Sequence, residues 1–324
     1  MKQFKEILSI DSTSGREREM GEWLAANLKA PSVKTFEVGD GTLNVLLQWG
    51  EPRVVFCSHM DTVPPYIPPV FEEGCVRGRG TCDAKGQFYA MYKACRQLEA
   101  AGRSGFGLLI LSGEETGSWG AKAFARQSFR APLLVVGEPT DNCMVSASKG
   151  TKSYALRFKG RPFHSGYPEF GVSAVELFYD FLNELKAASF PEDPLLGPTT
   201  WNIGKLSSGN PQNILSPELT CLLYFRTTFA SDAAVQAWMA NHISESLEMT
   251  ARGGDAPARY FTLPGFPTKT VSFGSDAPHL SNFEHKIICG PGSISVAHRP
   301  EEHLLEADFR QAVENYVRIY ESYN

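Results

Sequence analysis

The sequence predicts an α/β chain whose open, helix-flanked sheet is interrupted by an α+β insertion. Three observations carry this. Short apolar runs bounded by Gly and Pro, such as residues 107–112 and 133–136, read as buried strands and alternate with stretches of helical spacing. From Val145 the pattern changes to strand, helix, strand, strand, helix over about 110 residues, most of a split βαβ unit. A chain of 324 residues with 42% hydrophobic content also has the length and apolar material for two cores.

Residues 3–9 and 16–29 have helical spacing, and Ser12-Thr13-Ser14-Gly15 before the second supplies N-cap residue types. Residues 43–47 and 54–57 read as strands. The second runs straight into Ser58-His59-Met60-Asp61-Thr62-Val63-Pro64-Pro65. In an extended segment His59 and Asp61 point the same way, because side chains alternate with period two. A carboxylate so placed accepts one imidazole N–H and leaves the other nitrogen for a metal. The plainer alternative is a partly exposed histidine in a turn.

Gly78-Arg79-Gly80-Thr81-Cys82-Asp83-Ala84-Lys85-Gly86-Gln87 precedes a helix over 88–101. Its glycines let the backbone turn sharply and aim Asp83 into a crevice, although Asp83 would serve equally as the N-cap of that helix. The spacing fits neither common phosphate-binding fingerprint. Glu114 and Glu115 follow the apolar run 107–112, at the carboxyl end of a strand, where open α/β sheets place their ligand crevices. Adjacent carboxylates there repel unless protons or cations relieve them; a solvated turn is the alternative. A short helix over 120–127 leads to the strand 133–136, which ends in Gly137-Glu138-Pro139-Thr140. The recurrence weighs more than any single motif. His59 with Asp61, Glu114 with Glu115, Glu138, and Asp83 on its glycine loop would put five carboxylates and an imidazole on one sheet edge. Such a cluster is costly without divalent cations, so the sequence predicts a metal site.

Within the insertion, residues 153–158 alternate like a half-exposed strand, 172–187 form an amphipathic helix, 200–206 and 219–227 are strands, and a helix is expected over 231–249. The loop Arg161-Pro162-Phe163-His164-Ser165-Gly166-Tyr167-Pro168 carries His164, either a turn residue or a hydrogen-bond donor to a substrate. The chain returns to strand and loop character over 273–280 and closes with 289–298 and a helix over 301–321. His279, His285 and His298 compete for the role of a second imidazole ligand, and periodicity does not choose among them. No internal repeat or low-complexity tract is present.

A formal charge of −5 and a pI near 5.9 offer no basic face, so neither nucleic acid nor an anionic membrane is an expected partner. No stretch approaches the roughly 20 apolar residues of a membrane span, and the N-terminal segment lacks the uninterrupted apolar core of a signal peptide. The seven cysteines are odd in number, scattered and never spaced as Cys-x-x-Cys. That pattern predicts reduced thiols in a cytoplasm and argues against a thiolate zinc site.

The order of motifs resembles the aminoacylase and carboxypeptidase family of co-catalytic zinc hydrolases, which includes acetylornithine deacetylase, succinyl-diaminopimelate desuccinylase and several di- and tripeptidases. It rests on Ser-His-Met-Asp-Thr-Val-Pro at 58–64, Gly-Arg-Gly-Thr-Cys-Asp-Ala-Lys-Gly at 78–86, Gly-Glu-Glu-Thr-Gly-Ser at 113–118 and Gly-Glu-Pro-Thr at 137–140. His164-Ser165-Gly166 and Gly290-Pro291-Gly292 with His298 complete the series. The resemblance implies a catalytic domain over 1–147 and 258–324, with a mixed, largely parallel sheet, and a ferredoxin-like lid and dimerisation domain over 148–257. It implies two divalent ions, Zn2+ by preference with Co2+ or Mn2+ as substitutes. Asp83 would bridge them, His59 and Glu138 would complete one site, and Glu115 and His298 the other. Glu114 would be the general base, Asp61 the partner of His59, and His164 a donor to the developing oxyanion, in many relatives from the neighbouring subunit of a homodimer. Arg226, Asn213 and the Gly290 to Gly292 loop match positions that approach a substrate carboxylate, and Asp276 would meet a substrate amine. The motif wording is nearest the acetylornithine deacetylase branch, which implies removal of an acyl group, acetyl by preference, from an N-acyl amino acid. The alternatives are a di- or tripeptidase or carboxypeptidase with the same metal centre and, from another class, a non-catalytic metal-dependent binding protein.

Overall fold

In the computed structural model, which describes residues 2–39 and 41–323, the chain divides into two units. Met1–Ser146, Tyr260–Lys269 and Ser275–Asn324 form the first, and Ala147–Arg259 with Thr270–Gly274 the second. The chain opens with helices α1 (Lys2–Ser9) and α2 (Arg18–Asn27), then strands β1 (Ser32–Gly39), β2 (Thr42–Trp49), β3 (Val54–His59), β4 (Val70–Glu72) and β5 (Cys75–Arg77). Helix α3 (Lys85–Ala100), β6 (Phe106–Leu111), α4 (Trp119–Ala125), β7 (Ala131–Val136) and β8 (Met144–Ser148) follow. The insertion holds β9 (Gly150–Lys159), α5 (Ala174–Ala187), β10 (Thr200–Ser207), β11 (Glu218–Thr227), α6 (Asp232–Asn241), β12 (Leu247–Gly253) and β13 (Ala258–Arg259). Strands β14 (Thr268–Val271), β15 (Phe283–Ile288) and β16 (His303–Leu305) and helix α7 (Glu306–Ser322) complete the chain.

The first unit is built on a six-stranded sheet in the order β1-β2-β6-β3-β7-β15. β3 lies between β6 and β7 and is parallel to both, and β15 extends the parallel set beyond β7. β2 runs antiparallel to β6, and β1 antiparallel to β2. Every residue of β3 and β6 is buried. That is the condition of a parallel strand covered on both faces, and it explains why these strands read as unbroken apolar runs. Helices α1, α3 and α7 seal the core: Phe4 stacks on Tyr89 with ring centroids 4.8 Å apart, and Tyr316 meets Phe56 edge-on at 5.6 Å. Aromatic pairs of this kind contribute roughly 0.5–1.5 kcal/mol beyond the area they bury. Because successive strands lie on either side of β3, the chain reverses its winding there, and a crevice opens at the carboxyl ends of β6, β3 and β7. A smaller sheet, β16-β5-β4, flanks the loops that enter this edge.

The second unit is a four-stranded antiparallel sheet, β10-β11-β9-β12, with α5 and α6 packed on it. This is the ferredoxin-like βαββαβ arrangement. Its fourth strand corrects the sequence reading, in which a helix ran over 231–249. α6 ends at Asn241, and Leu247 to Gly253 pair with β9, setting Leu247 opposite Phe158 and Met249 opposite Leu156. Leu247 continues the four-residue spacing of Met239 and Ile243 and so suits a helix, but Leu247 and Met249, two residues apart, share one face of a strand, and pairing with β9 decides. Two further bounds move. α3 starts at Lys85 rather than 88, and α7 starts at Glu306 because His303, Leu304 and Leu305 pair with β5 instead. Among the described residues no helix is long and apolar enough to cross a membrane.

Candidate metal centre

Four neighbouring parallel strands end at one edge of the sheet, and each delivers a motif there. β3 ends on His59, β6 leads into Glu114 and Glu115, β7 into Glu138, and β15 into Gly290 to Gly292. Asp83 arrives from the glycine loop before α3. The N-cap position of that helix is Ala84, with no side-chain cap, so Asp83 does not serve as the cap.

Its carboxylate instead faces two imidazoles. Asp83 Oδ1 lies 3.1 Å from His59 Nε2, and Oδ2 lies 3.3 Å from His298 Nε2. His298 Nε2 is also 2.9 Å from Glu115 Oε1. One ligand atom each from His59, Asp83 and Glu115 fall within 4.8 Å of one another. Glu138 is buried beside them, and its Oε1 has no hydrogen-bond partner. A buried carboxylate oxygen without a donor is costly unless something cationic faces it. The donors therefore fit a pair of divalent cations: two imidazoles and three carboxylates, one of which presents its two oxygens to different imidazoles. Of the three histidines the sequence left open, His298 is the one that faces Asp83 and Glu115. His285 is on β15 stacked against Phe261 at 4.7 Å, and His279 follows Asp276 in a short 3-10 turn.

Two carboxylates that face away from this donor set hold it in shape. Asp61 is fully buried; its backbone oxygen lies 2.9 Å from His59 Nδ1, which turns Nε2 toward Asp83. Its side chain accepts the backbone N–H groups of both Glu114 and Glu115, at 3.0 and 3.1 Å, and the Ser14 hydroxyl at 2.9 Å. The sequence predicts that the Asp61 carboxylate holds the imidazole; Oδ1 lies 3.4 Å from His59 Nδ1, and the backbone oxygen is the nearer partner. The N-terminal segment supports it further, since Ser12 Oγ donates to Met60 O and Ser14 N to Thr62 O. Glu302 plays a similar part for Asp83. Gly290 and Gly292 have packing reasons of their own. A Cβ on Gly290 would lie 2.0 Å from Gln87 Oε1, and one on Gly292, whose φ is +74°, would lie 2.6 Å from Cys82 Sγ. Asp276 is buried, with Oδ1 unpartnered, and burial pushes its carboxyl up to about 6.

Burial, against the pull of His59 and with the repulsion of Asp276 and Glu115, pushes Glu114 well above the carboxylate range. Burial and the neighbouring Glu114 do the same to Glu138. Hydrogen bonds to Asp83 and Glu115 raise His298 to about 10. Burial opposes ionisation of Asp83, but its bonds to His298 and His59 outweigh it and hold the carboxyl below its usual range. His298, Glu114 and Glu138 all bind protons more tightly in the folded chain than in the unfolded one. The stability they supply is present at low pH and is lost as pH rises, for His298 between 6.5 and about 10. Cations bound by the same groups would displace these protons. The melting temperature of chelator-treated protein is therefore expected to fall through this window. Zinc at one fixed concentration, a hundredfold above its Kd at the lowest pH, should add about 2.7 kcal/mol per site there, with the gap between the two forms widening as pH rises and Kd falls. Thermal melts from about pH 6.5 to 9 test this; a gap independent of pH would mean that protons and cations do not compete there.

In the second unit, the Gly166 N–H donates to His164 Nδ1 at 3.1 Å, which in the neutral ring leaves the proton on Nε2. The His164 loop pairs with the Asn213 loop, through Ser165 N to Asn213 O at 2.9 Å and a bridge from His164 to Ile214. Arg226 on β11 stands opposite Thr151 and Thr200, its guanidinium 5.0 Å above the Tyr224 ring.

Fold and donor set together define a metal-dependent hydrolase. The chain belongs to peptidase family M20/M25/M40, whose family model matches residues 55–322. A probable carboxypeptidase of Aspergillus terreus is 31% identical over 98% of this chain and 85% of its own length. Among solved structures, a tripeptidase of Staphylococcus aureus superposes with a TM-score of 0.80 at 19% identity, covering 98% of this chain and 96% of that one. A Bacillus subtilis protein described as a dinuclear metal-binding M20 peptidase superposes at 0.67 and 12% identity, over 99% and 97%.

Proposed function

We propose that this chain hydrolyses an amide bond adjacent to a free α-carboxylate with the help of two divalent cations, removing the last residue of a short peptide. The observation that carries the reading is the placement of Asp83, whose two oxygens face separate imidazoles, next to the Glu114–Glu115 pair. Asp83 would be the shared ligand, with His59 and Glu138 on one side and Glu115 and His298 on the other; zinc suits the set, and cobalt or manganese would substitute. When bound, the two ions supply Lewis acidity toward a water and the amide carbonyl.

The remaining work falls to the chain's own residues. Glu114, whose backbone is fixed by Asp61, takes the proton of the attacking water and returns it to the leaving amine. Asp61 keeps His59 in the tautomer that presents Nε2. His164, with its Nε2–H available, donates to the oxygen that gains charge, a contact commonly worth about 3–4 kcal/mol of barrier. Within the second unit Arg226 and Asn213 are the candidates to receive the substrate carboxylate, and within the first Asp276 is the candidate for a substrate amine.

A second reading, removal of acetyl from an N-acyl amino acid such as N-acetylornithine, is favoured by the wording of Gly-Glu-Pro-Thr at 137–140 and of the stretch from Gly290 to His298. Similarity to a probable carboxypeptidase and to a tripeptidase favours the peptide. A turnover panel of dipeptides and tripeptides against N-acetylornithine, N-acetylcitrulline and succinyl-diaminopimelate separates the two. Higher kcat/KM for peptides, lost when their C-terminus is amidated, is expected. Equal turnover of amidated peptides would remove the carboxylate from the proposal. For assembly we propose a homodimer through the second unit, whose Tyr167, Phe170, Val175 and Tyr179 are exposed. A fully active monomer in sedimentation would exclude it.

A further inference from the structure

One buried ion pair lies outside the proposed donor set. Arg79 and Glu302, 2% and 0% exposed, are joined at 2.5 Å between Arg79 Nη1 and Glu302 Oε2. Burying both charges costs several kcal/mol per ion in lost hydration, and a well-packed apolar pair usually serves stability as well or better. The remaining contacts show what the pair holds. Glu302 Oε1 accepts the backbone N–H groups of Cys82 and Asp83, each at 3.1 Å. Gly78 N donates to Glu302 O at 2.9 Å. Arg79 Nη1 donates to Arg299 O and Nε to Pro65 O, both at 3.3 Å. Glu302 N donates to the same Arg299 carbonyl at 3.2 Å.

Arg299 directly follows His298, whose φ of +63° lies in the left-handed region. A non-glycine residue there is strained and persists only where its surroundings fix it. One ion pair thus anchors the backbone of Asp83 on one side and, on the other, the Arg299 carbonyl, which directly follows His298. The arrangement parallels Asp61, which accepts the amides of Glu114 and Glu115 in the same two-amide manner.

We propose that Arg79 and Glu302 are a positioning pair that presets Asp83 and His298 for divalent cations before any cation arrives. The proposal rests on the two-metal reading above. It asks for metal affinity, since an outer contact that orients a ligand typically changes affinity about 10- to 100-fold.

Two double variants isolate the amide contacts from the charges. Arg79→Met with Glu302→Leu removes both charges and the acceptor of the two amides. Arg79→Met with Glu302→Gln removes the charges but keeps an amide oxygen for those donors. Zinc affinity is measured by competition with a chromophoric chelator, and the unfolding midpoint of each metal-free protein is measured alongside. The leucine variant is expected to bind zinc about 10- to 100-fold more weakly than the parent, and the glutamine variant to recover most of that loss. Affinity that tracks only the unfolding midpoint across parent and variants would overturn the proposal, as would parental affinity in the leucine variant. Should the leucine variant not fold, Arg79→Lys decides. It keeps the charge facing Glu302 but not both carbonyl contacts; a several-fold loss of affinity supports the positioning role, and parental affinity overturns it. A parent chain that takes up no divalent cation would overturn the metal reading itself, and this proposal with it.

Discussion

Glu114→Gln is expected to leave about two metals per chain and to lower kcat by roughly 10²- to 10⁴-fold, the usual contribution of a positioned proton carrier. In barrier terms that is about 3–5 kcal/mol. The substitution preserves shape and the backbone N–H that Asp61 Oδ1 accepts, so the turn carrying Glu115 stays in place. What it removes is a group able to accept a proton. Because the loss belongs to the chemical step, KM is expected to change little while kcat and kcat/KM fall together. Metal analysis after gel filtration, paired with steady-state kinetics on the best substrate of the panel, checks both halves. Parental turnover would remove Glu114 from the role of base. Loss of the metals would instead make it a ligand.

The sheet edge was legible because its chemistry recurs. β3, β6 and β7 are buried on both faces, so their sequences admit few polar residues, and the polar groups that follow each one stand out against them. His59, Glu114, Glu115 and Glu138 could therefore be placed together before any coordinates, and Asp83 fell on the same edge once Ala84 took the N-cap position. The second imidazole was different. His298 owes its place to a loop with a left-handed backbone, which no periodicity describes, and only family resemblance singled it out. β12 does not stand out locally because Leu247 continues the four-residue spacing of Met239 and Ile243, and the deciding partners, Phe158 and Leu156, lie about ninety residues earlier. Arg79 and Glu302 were less legible still. They are 223 positions apart, and nothing local to either shows that one accepts the amides beside Asp83. Gly290 and Gly292 show the converse. A glycine loop at a strand end invites a ligand reading, yet contacts with Gln87 and Cys82 already require both residues.

The largest effect is expected at Asp83. Asp83→Asn keeps the volume of the side chain but replaces one of its two oxygens with an amide nitrogen, which donates rather than accepts. In the present geometry Oδ1 serves the His59 side and Oδ2 the His298 side, so only one of the two can retain an acceptor. The Cys82 and Asp83 backbone groups remain fixed by Glu302, and the loop is expected to stay where it is. The variant is therefore expected to hold at most one tightly bound metal per chain. Its affinity for a second should fall about 100-fold or more, and its turnover at least as far as that of Glu114→Gln. Stoichiometry by elemental analysis and affinity by chelator competition separate the two variants. Glu114→Gln loses turnover with its metals in place, whereas Asp83→Asn loses turnover because a metal is missing. Excess zinc should then rescue part of the activity of Asp83→Asn and none of that of Glu114→Gln. Retention of two metals at parental affinity in Asp83→Asn would mean that Asp83 does not bridge, and that the site is built on His59, Glu115, Glu138 and His298 alone.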